Sequence, residues 1–352
     1  MTDLARAISA VLDECGFSGA VRVDAGGETL LTAARGLADR AHGVPNTIDT
    51  RFALASGTKG FTALAVVSLI ADGILGLDTT ARSLLGADLP AIDDSVTVEQ
   101  LLSHRSGIGD YLAEDELESI SDYVLAVPVH RLDSAEAYLA VLDGHPQVSP
   151  PGERFAYNNG GFVVLALLAE RAAGRPYSDL VRERVSERAG LTGTGFVRSD
   201  ERAADVATGY LDPDGLRTNV LHLPVLGVGD GGLVSTLADV HRLWSALFAG
   251  RIVPPDWVER MTRPSGDFPD GEERYGLGWW LAPEGPEVLL EGYDPGISFH
   301  STHDPVAGVT WTVMSNTSAG AWPIVRQIKG MIAGPAAPPP DRARSPSKLT
   351  KE

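Results

Sequence analysis

Hydrophobic positions recur at helical spacing in residues 3–15, and that pattern stops at Gly16, so an amphipathic helix opens the chain. Residues 17–24 and 28–34 alternate on either side of Ala25-Gly26-Gly27 and predict a β-hairpin. From Thr58 to Ala71 the chain reads TKGFTALAVVSLIA. A helix apolar nearly all round belongs at the centre of a protein. Residues 97–104 predict a short capped helix. Residues 114–144 are acidic and mostly helical in pattern, and residues 160–173 predict a second buried helix. Residues 178–189 predict an exposed Arg/Glu-rich helix. From about 207 onward the pattern turns to short strands at 230–234, 275–281, 287–291, 296–301 and 308–315, closed by a helix at 323–333. Residues 335–352 are rich in Pro, Ala, Arg and Ser without apolar periodicity, and predict a disordered tail.

Strands therefore lie at both ends and helices between them. The expected fold class is α/β in the α+β sense, an antiparallel sheet flanked by helices and built from both chain ends. Residues 1–85 and 225–334 would form this sheet unit, with the first buried helix at its boundary. Residues 86–224 would form a mainly helical insert. No internal repeat is present.

Composition narrows the functions. Of 352 residues, 43% are hydrophobic and 22% charged, an ordinary globular balance. The formal charge of −18 repels phosphate, which argues against nucleic acid and anionic membranes as partners. One cysteine, Cys15, allows neither an intrachain disulfide nor a thiolate cage. There is no apolar run long enough to span a membrane, and Met1-Thr2-Asp3-Leu4 does not read as an export signal, so the expectation is a cytoplasmic protein. No cofactor is expected.

The basic residues are uneven, with 25 Arg and four Lys. Lys59 is the only lysine before Lys329. Unlike Arg, lysine offers an amine that desolvation can deprotonate. Ser56-Gly57-Thr58-Lys59 is Ser-x-x-Lys at the mouth of the first buried helix, and the spacing places both side chains on one face. A serine hydroxyl is a weak nucleophile until a neighbouring base takes its proton, and a dry amine can do so. The alternative is a lysine that snorkels to water or pairs with an acid. A second match, Ser345-Pro346-Ser347-Lys348, falls in the tail and has no such setting.

Tyr157-Asn158-Asn159 precedes the second buried helix. A phenol can relay a proton and an amide can hold both a lysine and a carbonyl; the alternative is a turn with an Asn helix cap. Gly227-Val228-Gly229-Asp230-Gly231-Gly232 matches G-x-G-x-x-G literally. The stretch after it ends in Pro254-Pro255 where a second parallel strand would be needed, so it is no dinucleotide fingerprint. No Gly-x-Ser-x-Gly elbow and no His-x-x-x-His pair occur. His300 and His303 with Asp304 are a weak metal candidate on a strand end, and surface polar residues are the preferred reading.

Together these residues resemble the serine β-lactamases and penicillin-binding proteins, in particular the class C-like branch with its esterases and D-amino-acid peptidases. The resemblance is carried in order by Phe52 through Lys59, Leu101-Leu102-Ser103-His104-Arg105-Ser106-Gly107, Pro151 through Asn159, Asp230 through Thr236, and Tyr275-Gly276-Leu277-Gly278-Trp279. It implies Ser56 as acyl-accepting nucleophile, Lys59 and Tyr157 as proton-transfer partners, and Asn159 as the group orienting lysine and substrate. The family's third motif, Lys-Thr-Gly or His-x-Gly, corresponds to Gly292-Tyr293-Asp294-Pro295-Gly296-Ile297-Ser298, which is shortened and has no basic residue. Tyr293 is the candidate donor in its place, with Gly296, Ile297 and Ser298 beside the substrate; the alternative is that Asp294 and Pro295 merely shape the turn. Without a cation to hold a carboxylate, the expectation is a small-molecule acyl substrate, most readily an uncharged ester. Amides, lactams, acyl transfer and a ligand-binding role without catalysis are the alternatives.

Overall fold

The computed structural model describes residues 3–112, 119–201, 203–269 and 271–332. Helix α1 (Asp3–Glu14) leads into strands β1 (Gly19–Ala25) and β2 (Glu28–Arg35). Strand β3 (Phe52–Ala53) enters helix α2 (Thr58–Ala71), and α3 (Val98–Leu102) and α4 (Asn159–Ala173) follow. Strands β4 (Gly195–Phe196) and β5 (Leu233–Ser235) precede α5 (Leu237–Phe248). The chain ends through β6 (Arg274–Tyr275), β7 (Trp280–Leu281), β8 (Val288–Asp294), β9 (Ile297–Asp304), β10 (Val309–Ser315) and α6 (Ala321–Ile332).

Seven strands form one antiparallel sheet in the order β2-β1-β10-β9-β8-β7-β6. The first and last strands in sequence thus pair inside the sheet, with Val21 opposite Val313. Alternation along each strand gives the sheet two buried faces. Val21, Val23, Trp311 and Val313 pack under α1 and α6 with Ile8, Leu12, Ile324 and Ile328. Ala20, Leu290, Phe299 and Met314 face the larger core around α2, α4 and α5. A smaller sheet, β3-β5-β4, ties the entrance of α2 to the middle of the chain.

Helix α2 is buried from Thr58 through Leu69, as an all-round apolar sequence requires. Its place is set by close approaches. A β-carbon on Gly57 would lie 2.4 Å from the Phe299 ring, so only glycine lets the helix start sit on β9. The acidic stretch differs from its helical expectation. Residues 113–118 lie outside the described part, and the rest holds short 3-10 turns at Ile120–Asp122, Val129–Arg131 and Glu136–Tyr138, then Leu139–Leu142. Pro128 and the Ser119 and Ser134 hydroxyls, which accept from nearby backbone amides, break it up. The expected tail, 335–352, also lies outside the described residues.

Candidate active site

Ser56 sits in a one-turn 3-10 segment, Ala55–Gly57, that hands the chain from β3 to α2. Ala55 before it has φ of 45°, a left-handed conformation that a non-glycine residue holds only when its surroundings force it. The force comes from β8. A β-carbon on Gly292 would meet the Leu54 carbonyl oxygen at 2.0 Å, so strand and turn are pressed backbone to backbone.

One turn into α2, Lys59 is 2% exposed. Its Nζ lies 2.9 Å from Ser56 Oγ, 2.8 Å from Asn159 Oδ1 and 3.0 Å from the Asp230 carbonyl oxygen. An ammonium would donate to all three. A neutral amine has two N–H bonds and a lone pair; with both N–H groups on the carbonyl oxygens, the lone pair points at the serine hydroxyl. That arrangement can accept the Ser56 proton.

Asn159 is held in turn. Asn158 is the cap of α4: its Oδ1 accepts from the Gly161 amide at 2.6 Å and its Nδ2 donates to Ile108 O at 2.9 Å. Asp110 accepts from the amides of Asn159 at 2.7 Å and Gly160 at 2.9 Å. Adjacent asparagines thus divide the work, one capping the helix and one facing the lysine. Burial pushes the Asp110 carboxyl up, against its backbone bonds and the nearby Lys59 charge. It does the same to Asp230, whose carboxylate accepts from the Tyr111 hydroxyl at 2.5 Å.

Tyr157 stands with its ring centre 5.0 Å from Lys59 Nζ. It is clamped between the His104 ring at 4.4 Å and the Trp280 ring at 5.8 Å. His104 does more than stack. Its Nδ1 accepts the Asn158 amide at 3.1 Å and its carbonyl oxygen accepts the Ala156 amide at 2.8 Å, bracketing Tyr157 in the chain. Burial, and next the Lys59 charge, hold its imidazole well below the usual histidine range, so it is neutral at pH 7. With Nδ1 accepting, the proton is on Nε2.

Ser56, Asn159 and Asp230 open onto a cavity of about 690 Å³. Tyr111, Tyr138 and Asp294 also line it. Asp294 comes from the β8–β9 hairpin, whose register pairs Tyr293 with Ser298 and Asp294 with Ile297. Leu290 and Gly292 face α2 and the Ser56 turn, so Asp294 shares their side. Tyr293 points to the opposite face, where its ring lies 6.1 Å from Trp322.

A family model described as Beta-lactamase matches residues 4–327. The chain belongs to the beta-lactamase family. It is 36% identical to the esterase EstB of Burkholderia gladioli over 212 residues, 56% of this chain and 53% of that one. It is 29% identical to a D-aminopeptidase of Brucella anthropi over 279 residues, 78% of this chain and 51% of that one. The chain therefore spans about half the length of these two relatives. The crystal structure of a penicillin-binding protein from Bacillus halodurans superposes with a TM-score of 0.86 at 33% identity, covering 92% of this chain and 99% of that one. The family is one of serine hydrolases, and its mixed fold of helices on an antiparallel sheet is the one described above.

Within this beta-lactamase-family fold, Ser56, Lys59, Tyr157 and Asn159 are brought together. The third segment is divided. Ile297 and Gly296 line the cavity, and Gly296 makes the hairpin turn at φ of 72° with its amide on Ser318 Oγ at 2.7 Å. Tyr293 and Ser298 do not reach the cavity wall. Ser298 is fully buried and bonds Thr317 O and the Ala321 amide at the start of α6. Strand alternation is the reason: a candidate donor at 293 falls one position off the facing residue.

Sequence reasoning placed Asp230 in a glycine-rich segment of the resemblance but gave it no part in the site. The run is instead a wall of the site: Thr62 donates to Gly229 O at 2.5 Å, and a β-carbon on Gly229 would meet Phe162 O at 1.9 Å. His104 and Asp110 were also missed as site residues; each acts through backbone groups, which leave no side-chain signature. His300 is not the surface residue expected: it is buried within β9, and His300 and His303 face opposite sides of that strand. The His300 ring meets Glu291 and Thr302 on one side, and His303 packs by Trp244 and Phe248 on the other.

Proposed function

We propose that this chain is a hydrolase of small carboxylic esters, with Ser56 as the acyl-carrying nucleophile. The observation that carries the reading is the buried Lys59 amine, 2.9 Å from Ser56 Oγ and held on its other sides by two carbonyl oxygens. Lys59 takes the hydroxyl proton as Oγ attacks the ester carbonyl carbon. The resulting oxyanion is received by the Ser56 amide and an amide at the end of β8, which the Gly292 contact brings alongside. The tetrahedral intermediate collapses, the C–O bond to the alcohol breaks, and the leaving alkoxide takes a proton from Lys59, directly or through the Tyr157 hydroxyl. Water then repeats the sequence on the acyl-enzyme and regenerates Ser56.

Amides and lactams need the same groups but a better-protonated leaving nitrogen. The named esterase and D-aminopeptidase relatives support either class. Lys59 is engaged by Ser56, Asn159 and Asp230, and Arg198, the one arginine among the described lining residues, is bound to Asp200 at 2.9 Å, which favours substrates without a carboxylate beside Ser56. A panel of short and bulky p-nitrophenyl esters, run beside β-lactams, tests the reading. Ester turnover that exceeds lactam turnover, and that disappears in Ser56→Ala, is expected. Unchanged ester turnover in Ser56→Ala refutes it.

A further inference from the structure

The glycine-rich run is stapled to α2 at three places around the lysine. The Leu233 amide donates to Thr58 Oγ1 at 3.2 Å, Lys59 Nζ reaches the Asp230 carbonyl oxygen at 3.0 Å, and Thr62 Oγ1 donates to Gly229 O at 2.5 Å. The Tyr177 hydroxyl backs Thr62 from behind at 2.6 Å. These bonds fix the backbone of Asp230 against the first turns of the helix that carries the amine.

The side chain of Asp230 is fixed as well. Its Oδ2 accepts the Tyr111 hydroxyl at 2.5 Å. The residue is 9% exposed and Lys59 2%, so the two charges meet across a dry wall. Burial pushes the Asp230 carboxyl up, while the Lys59 charge and the Tyr111 bond push it back. Such an interaction is mutual: as the ammonium favours the carboxylate, the carboxylate favours the ammonium.

The other groups around the pair have different engagements. His104 is neutral, and Tyr157 turns its ring toward the amine. Asp110 also feels the Lys59 charge, but its oxygens accept from the Asn159 and Gly160 amides at the start of α4. Around Asp230, burial keeps the Tyr138 and Tyr177 phenols protonated, and the Asp230 charge adds to that. Asp294 lines the same cavity and acts on Tyr138. Among these carboxylates, Asp230 belongs to the residue whose own backbone touches Nζ.

We propose that Asp230 is a positioning residue that acts through Lys59: its carboxylate, held by the Tyr111 hydroxyl, opposes loss of the ammonium proton and so sets the pH above which the amine can take the Ser56 proton. The proposal rests on Lys59 as the base of the reading above and adds what tunes that base. Neither Asp230 nor Tyr111 is asked to exchange a proton with substrate.

The acid limb of kcat/KM tests it, because that limb reports the free enzyme. Turnover of p-nitrophenyl acetate, uncharged throughout, is followed from about pH 5 to 9.5, on either side of neutrality. The rate of Ser56 labelling by a fluorophosphonate is measured over the same range. Asp230→Asn keeps an acceptor for Tyr111 and removes the charge. Its limb should move to lower pH by about one unit, in turnover and in labelling alike. One unit below the wild-type midpoint, the variant should then retain about fivefold more of its own plateau rate than wild type does. Tyr111→Phe deletes one hydroxyl and leaves the carboxylate easier to protonate, so its limb should move the same way by less; it also stands as the second variant should Asp230→Asn fold poorly. Glu28→Gln, on the edge strand β2, removes a distant charge and should leave the limb in place.

A merely structural role would scale the rate down equally at every pH. A limb in Asp230→Asn or Tyr111→Phe that stays at the wild-type pH, or moves up, overturns the proposal while leaving the base intact. A wild-type protein with no acid limb in either turnover or labelling overturns Lys59 as base and this inference together.

Discussion

The two walls of the cavity are built on different principles. The Lys59 wall is dry and over-determined: the amine meets three oxygens, and the asparagine that holds it is fixed by Asp110 and by the adjacent cap residue. The hairpin wall meets solvent; its backbone is held by Asn219 and Ser318, and it places Asp294 on the cavity. The difference separates two tasks. Proton transfer between Ser56 and Lys59 tolerates little displacement, so it is placed among buried bonds. The hairpin wall faces the space a substrate would fill, where a side chain can change without disturbing the fold.

The comparison breaks first at the dry wall. Lys59→Ala should lower kcat/KM for esters by at least about a thousandfold, and Lys59→Arg by nearly as much, because a guanidinium stays protonated. Ester kinetics on folded protein check this, and a fully active Arg variant would contradict proton transfer by Lys59. The next effect tests the support for Tyr157 and Asn159. His104→Leu removes the acceptor for the Asn158 amide and should lower kcat by about tenfold to a hundredfold. His104→Asn restores an acceptor near the Nδ1 position and should recover much of that loss. Equal kcat losses in the two variants would mean that bulk, not the hydrogen bond, matters.

How much of this was legible in the sequence follows the same division. Helical spacing alone put Ser56 and Lys59 on one face, and the solitary lysine at the mouth of an apolar helix marked the position. The antiparallel sheet from both ends followed from where the strand patterns fell. The hairpin was harder, because a one-residue difference in register exchanges the faces of Tyr293 and Asp294, and nothing local in Gly-Tyr-Asp-Pro-Gly fixes that register. The Asp230 contact with Lys59 is made by a carbonyl oxygen, which any residue carries, so that contact left no signal. Asp110 and His104 likewise work on backbone amides contributed by residues about fifty positions away. The acidic stretch misled because helix formers outweighed the serine and proline punctuation within it.

Smaller effects sharpen the contrast. Burial holds His300 and His303 at about 4, against 6.5 when exposed. The folded chain therefore binds fewer protons than the unfolded one between those values, and the stability these residues contribute is intact above pH 6.5 and lost as pH falls toward 4. The thermal midpoint should drop steadily across that window and change little between pH 7 and 8. A midpoint flat from pH 7 to 4.5 would contradict neutral, buried imidazoles. The smallest effect belongs to the face turned away from the cavity. Tyr293→Phe should change ester kcat/KM by less than about twofold, since its ring lies toward Trp322. A tenfold loss would place that phenol in the site.

Intact-mass analysis after reaction with a fluorophosphonate reads the central claim most directly. One adduct, mapped by peptide sequencing to Ser56 and absent from both Ser56→Ala and Lys59→Ala, is the expected result. An unmodified wild-type protein, or an adduct that persists in Ser56→Ala, would contradict a lysine-activated serine at the start of α2.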